Sequence, residues 1–188
     1  ALEEAKRHVT DPHTLATVLT SLANFHTDLG HIDEAQAIYA EAIRIHPEYA
    51  PAHFNLGMLH LELNQRNDAV IAFSKALEHE PDNGLMAAHL AFQKMHLCRW
   101  SGLGEISEQI IRSIENNTAD IPPFIVLSLP GTTAQLQRQC AENHSLKFVP
   151  TIPMRVLPVS RHERIRIGYL SSDFKNHATT YLMIEMLE

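Results

Sequence analysis

With 188 residues and 45% apolar content the chain can bury a substantial core, and its length allows one or two domains. No apolar run approaches about 18 residues, so no helical membrane span is expected. The formal charge of -7 is uneven: residues 1–83 carry 13 acidic and 5 basic side chains and the remainder 9 and 10, which leaves no basic stripe for nucleic acid. The acid excess is read as solvated helix surface. Cys98 and Cys140 lie far apart without paired spacing and read as reduced thiols of a cytoplasmic protein, not as a staple or metal site. The opening residues 1–7 are charged and amphipathic, unlike a signal peptide.

Taken in order, residues 1–15 are expected to end a preceding repeat, with Pro12 near the place that Pro47 and Pro81 hold in theirs. Further repeats are expected before residue 1, because a solenoid that opens on half a unit exposes apolar surface. Residues 16–49 and 50–83 then form two copies of a 34-residue unit with seven identical positions, among them Leu22 and Leu56, Ala35 and Ala69, Ala42 and Ala76, Pro47 and Pro81. Small residues (Ala23 and Gly57 as well as the alanines) allow close backbone approach, while Tyr39 and Phe73 fill the space between. The period, the small-residue positions and the closing proline resemble the tetratricopeptide repeat, a helix-turn-helix unit that stacks into a right-handed superhelix. The first helix of the first unit is expected over 16–28, ended by Gly30 at positive φ, and Asp33 and Glu34 favour the positive end of the next helix. Asn64 takes the place of Gly30 in the second unit.

Residues 84–148 read as a degenerate repeat and helical transition region. The unit starts on schedule at Gly84, with Leu90 and Ala91 in the places of Leu22 and Ala23, and then departs from the pattern. A segment Leu97 to Gly102 replaces the short turn and second helix. An amphipathic helix over 105–115, an extended stretch over 121–130 and a helix over 132–143 follow. Residues 149–163, with prolines at 150, 153 and 158, read as a linker. Beyond it, residues 164–170 form a strand by their β-branched and aromatic content, 171–177 a polar loop, and 178–188 the start of a helix with Leu182, Met183, Met186 and Leu187 on its apolar face. A strand, a loop and a helix in that order open a doubly wound α/β domain.

The residues carry little catalytic pattern of their own. No Gly-x-Gly-x-x-Gly or P-loop is present, so no phosphate cradle is read. The 13 histidines include no His-Glu-x-x-His spacing, and His26 and His60 fill equivalent repeat positions, which packing explains better than ligation. No metal site is expected, and Cys98, beside Trp100, has no activating partner. The concave face of the first helices is expected to carry Thr17, Thr20, Ser21 and Asn24, then Phe54, Asn55 and Met58, then Ala88, His89 and Phe92. It has no Lys or Arg, which argues against a clamp for acidic C-termini.

The stretch Arg164-Ile165-Arg166-Ile167-Gly168-Tyr169-Leu170-Ser171-Ser172-Asp173-Phe174-Lys175-Asn176-His177, continuing to Met183, resembles the strand and loop that open the catalytic region of the protein O-GlcNAc transferase and SPINDLY family. Cys98-Arg99-Trp100, followed by helices and a proline-rich linker after the repeats, is similar to that family's passage from repeats to catalytic lobes. The resemblance implies a mainly α chain: a tetratricopeptide-repeat superhelix, then the first βα unit of a Rossmann-like lobe in a B-type glycosyltransferase. It implies metal-independent, inverting transfer of a sugar to Ser or Thr of proteins, with a nucleotide sugar as substrate and no resident cofactor. Ser172-Asp173-Phe174 and Asn176-His177 favour UDP-GlcNAc as donor; GDP-fucose, used by SPINDLY-type relatives, stays open, as does a non-catalytic repeat adaptor. The family's usual proline after the histidine is Ala178 here.

By the same resemblance acceptor proteins lie along the groove, held by a ladder of asparagines. Asn55 stands at the ladder position, with Ser21 and His89 as its equivalents and Asn24 one turn from Ser21. His177 lies in the active-site loop with Ser172, Asp173, Asn176 and Thr179. At a helix start the unpaired N–H groups disfavour an imidazolium, so His177 is expected to stay neutral, able to take the proton of the attacking hydroxyl as general base or to hydrogen-bond the acceptor or donor. With one βα unit of the first lobe, the 188-residue chain is expected neither to hydrolyse nor to transfer a nucleotide sugar by itself.

Overall fold

The computed structural model describes residues 11–148. Among them eight helices follow one another and no strand occurs: α1 (Pro12–Asp28), α2 (Ile32–Ile45), α3 (Ala50–Glu62), α4 (Arg66–His79), α5 (Gly84–His96), α6 (Leu103–Glu115), the single turn α7 (Pro123–Val126) and α8 (Ala134–Phe148). The linker expected over 149–163 and the βα unit over 164–188 lie outside the described residues.

Helix α1 starts at Pro12 and not at 16, because Asp11 caps it. The Asp11 carboxylate accepts from the Thr14 N–H at 2.8 Å and from the Thr14 hydroxyl at 2.6 Å. Pro12 sits in the first turn, where a missing N–H costs nothing. Pro12 therefore opens α1 and is not the counterpart of Pro47 and Pro81.

The expected left-handed turns are present at Gly30 (φ 76°) and Asn64 (φ 59°). After each, the next backbone N–H reaches back to the last turn of the helix, His31 to the His26 carbonyl at 2.9 Å and Gln65 to the His60 carbonyl at 2.8 Å. The third unit keeps this device. Cys98 has φ 53°, and Arg99 donates to the Lys94 carbonyl at 2.8 Å. The period also holds, since α5 covers the positions of α3 displaced by 34 residues, as α4 does those of α2. The departure expected after Ala91 is thus confined to a late second helix: left-handed Gly102 (φ 71°) delays the start of α6 to Leu103.

Each hairpin is sealed by the small residues the repeat supplies. In the first, Ala23, Ala35 and Ala42 are fully buried around Tyr39. In the second, Ala69 and Ala76 are buried and the Phe73 ring lies against Gly57 so closely that an added Cβ there would stand 2.6 Å from a ring carbon. Burying each of these two rings stabilises the fold by roughly 2–3 kcal/mol. In the third, Ala87, Ala88 and Ala91 of α5 pack against Ile110 and Ile114 of α6, and the same cluster takes in Leu136 and Cys140 of α8.

The stretch 121–130 is not extended. Pro122 and Pro123 start the turn α7, which buries Ile125 and Val126. The last helix likewise runs over Ala134–Phe148, past the expected end at 143. Cys140 is buried there, its thiol donates to the Ile121 carbonyl at 3.3 Å, and burial raises its pKa, all of which suits an inert structural thiol.

Candidate functional site

Helix α1 packs on α3 as well as on its own partner α2. Helices α1 and α3 therefore stand side by side, and their outward residues share one surface. Equivalent positions in α1 and α3 become neighbours across the seam between them.

The centre of this surface is a hydrogen-bonded pair of amides. Asn55 of α3 donates from Nδ2 to Oδ1 of Asn24 on α1 at 3.1 Å. The same Asn24 oxygen accepts the Tyr39 hydroxyl at 2.5 Å. Tyr39 comes from α2, is only 2% exposed, and has its pKa raised first of all by burial, with the Glu62 and Asp28 charges adding to the shift. Two donors on one oxygen fix the orientation of the Asn24 amide. Its own N–H2 and the Oδ1 of Asn55 then remain for a ligand, one donor and one acceptor side by side, which is the complement of a peptide unit.

Around the pair lies a surface pocket of about 330 Å³, lined by Asn24, Thr27, Asp28, Tyr39, Asn55, Met58, Leu59 and Glu62. Asp28 and Glu62 are equivalent residues of successive units, both exposed, at the ends of α1 and α3. Residues 11–83 hold three Lys or Arg side chains, and each is engaged elsewhere. Arg44 pairs with Glu41 at 2.6 Å, Lys75 with Glu78 at 2.7 Å, and Arg66 donates to Oε1 of buried Gln93 at 2.7 Å.

The other residues expected on this face divide. Ser21 is exposed, and its hydroxyl donates back to the Thr17 carbonyl of its own helix at 3.0 Å. His89 does not continue the row of amides. Its ring packs on Phe54 at 5.2 Å and Phe73 at 5.7 Å between centroids, and burial pulls its pKa below the usual histidine value. Thr20 and Ala88, expected on the open face, are 4% and 0% exposed. His177, Ser172, Asp173, Asn176 and Thr179 lie outside the described residues. Tyr39, Asp28 and Glu62 were missed as site residues. Asp28 and Glu62 have a sequence signal, acidity recurring at one repeat position; Tyr39 reaches the surface only through an inter-helix contact.

Among the described residues no group of three or more His, Cys, Asp or Glu is placed to hold a metal ion. Nor is any helix there long and apolar enough to cross a membrane.

Comparison with known proteins agrees with the hairpins. Residues 26–92 match the family model for the tetratricopeptide repeat. Tetratricopeptide repeat protein 6 of Homo sapiens is 37% identical over 70 residues, which are 37% of this chain and 14% of that protein. The probable UDP-N-acetylglucosamine–peptide N-acetylglucosaminyltransferase SPINDLY of Oryza sativa subsp. japonica is 36% identical over 67 residues, 36% of this chain and 7% of that protein. Among solved structures, the second tetratricopeptide domain of human RPAP3, in complex with an HSP70 peptide, is similar with a TM-score of 0.46 and 17% identity, over 74% of this chain and all of that one. The chain thus spans only a small part of the curated relatives it matches. Its residues 26–92 are tetratricopeptide repeats, distantly similar to those of SPINDLY proteins.

Proposed function

We propose that the shared face of α1 and α3 binds extended segments of partner proteins, and that it does so as the acceptor-holding part of a protein O-glycosyltransferase. The observation that carries the first half is the Tyr39–Asn24–Asn55 chain of hydrogen bonds, which leaves one amide donor and one carbonyl acceptor free in a pocket. Such a pair bonds peptide N–H and C=O groups whatever the side chains, which suits an enzyme or carrier with many protein clients. Ser21 and His89 flank it on the preceding and following positions of the row.

The second half rests on the resemblance of residues 164–183 and on the similarity of the repeats to those of SPINDLY. In this reading a Ser or Thr hydroxyl oxygen attacks the anomeric carbon of UDP-GlcNAc from the side opposite the diphosphate. The bond to the diphosphate oxygen breaks, UDP leaves with the electron pair, and the hydroxyl proton passes to His177. Ser172, Asp173, Asn176 and Thr179 shape the loop around it, and no metal ion takes part. GDP-fucose as donor is the variant of the same reading. A non-catalytic, protein-binding adaptor is the second reading, favoured by the human tetratricopeptide protein that matches the repeats at 37% identity. Unpaired thiols at Cys98 and Cys140 suit a cytoplasmic setting.

Two experiments test the two halves. The immobilised 188-residue chain is panned against a library of random nonapeptides. It is expected to retain about tenfold more of the library than the Asn24→Ala, Asn55→Ala double variant, the scale of one or two lost hydrogen bonds. Equal retention overturns the groove. In the complete protein, transfer from UDP-GlcNAc to a protein acceptor is expected to fall roughly 100-fold or more in His177→Ala with the fold intact. Near-native kcat in that variant removes His177 from the mechanism, and absence of any transfer from either donor leaves the adaptor.

A further inference from the structure

The pocket beside the amide pair has a sign. Asp28 and Glu62 stand on its rim at equivalent positions of successive units, so stacking of the repeats itself brings the two carboxylates to one opening. Both are close enough to the Tyr39 hydroxyl to raise its pKa electrostatically. Among the described residues 11–83 the three Lys and Arg side chains are committed elsewhere, to Glu41, Glu78 and Gln93. Met58 lines the same pocket and offers an apolar track for the methylene stem of a long side chain.

We infer that this pocket selects protein segments carrying a lysine or arginine, with the segment's backbone on Asn24 and Asn55 and its cationic side chain along Met58 between Asp28 and Glu62. The inference rests on the groove reading above and adds to it a substrate class. An amide pair alone is indifferent to sequence, whereas two carboxylates lining the same pocket favour a cationic side chain over all others. Anionic segments are excluded by the same charges.

The panning experiment supplies the test when the retained peptides are sequenced. Lysine and arginine together are expected to be enriched roughly three- to tenfold over the input library, the scale of one or two exposed ion pairs. The enrichment is expected to fade near about 1 M salt. In the Asp28→Asn, Glu62→Gln double variant, retention is expected to persist while the basic preference disappears. Peptides retained without basic enrichment, or enrichment that survives in that variant, overturn the inference and leave the groove standing. Retention no greater than that of the Asn24→Ala, Asn55→Ala control overturns the groove and the inference with it.

Discussion

The first two hairpins share a period, a turn and a closing proline, yet one position makes their surfaces different. Where α2 supplies Tyr39, α4 supplies Phe73. The Tyr39 hydroxyl needs a partner because the ring is buried, and it finds one in Asn24, which in turn takes Asn55. Phe73 has no such need. Its ring slides under Gly57, and Phe54 and His89 close over it at 5.4 and 5.7 Å. Met58 stands where Asn24 stands in the first unit. A single hydroxyl inside one hairpin thus decides whether the outer face of the first helix is a polar pocket or an aromatic cluster. The pocket is an outlet for buried polarity, and the row of amides stops where that polarity stops.

The comparison breaks if the hydroxyl can be moved without consequence. Phe73→Tyr is expected to cost about 1–3 kcal/mol in denaturant unfolding, because it buries a hydroxyl in an apolar cluster where Met58 takes the place of Asn24. Adding Met58→Asn is expected to recover about 1 kcal/mol of that loss. A Phe73→Tyr variant as stable as the parent, or no coupling between the two changes, contradicts the account. The reverse change is milder. Tyr39→Phe removes the hydrogen bond to Asn24 and leaves Asn24 bonded to Asn55, so a loss of about 0.5–1.5 kcal/mol is expected, together with weaker peptide retention.

The smallest effect sharpens the aromatic side of the comparison. Burial lowers the folded-state pKa of His89 below its ordinary value near 6.5. The unfolded chain therefore binds its proton first, and the stability held above about pH 6.5 is lost as pH falls toward the depressed folded value. His89→Phe, which keeps a ring against Phe54 and Phe73, is expected to show a shallower fall of Tm between neutral pH and about pH 5 than the parent. Equal slopes remove His89 from the acid response.

Much of this fold was legible because a repeat is read twice. Tyr39 with Phe73, Ala35 with Ala69 and Gly30 with Asn64 each confirm the other, and all sit in the structure where the register puts them. Cys98 escaped because cysteine is not expected in a left-handed turn, although it lies one period after Asn64. Proline misled twice. Pro12 opens a helix that Asp11 caps, and the Pro122-Pro123 pair starts a turn in a stretch that reads as extended. Both are first-turn prolines, which composition alone does not separate from helix breakers. At the site, Asn55 and Asn24 were legible as polar residues of one face. Their union was not, because it depends on Tyr39, 15 residues from Asn24 in sequence and joined to it only by the packing of α2 on α1.

The most direct measurement follows the side-chain amide resonances of Asn24 and Asn55 by NMR while a peptide from the retained pool is titrated into the 188-residue chain. If the pair is the seat of the bound segment, both amides shift along one saturation curve while those of Gln135 and Gln139 on α8 stay in place. A peptide that binds and moves the α8 amides, with Asn24 and Asn55 unchanged, would contradict the assignment of the groove.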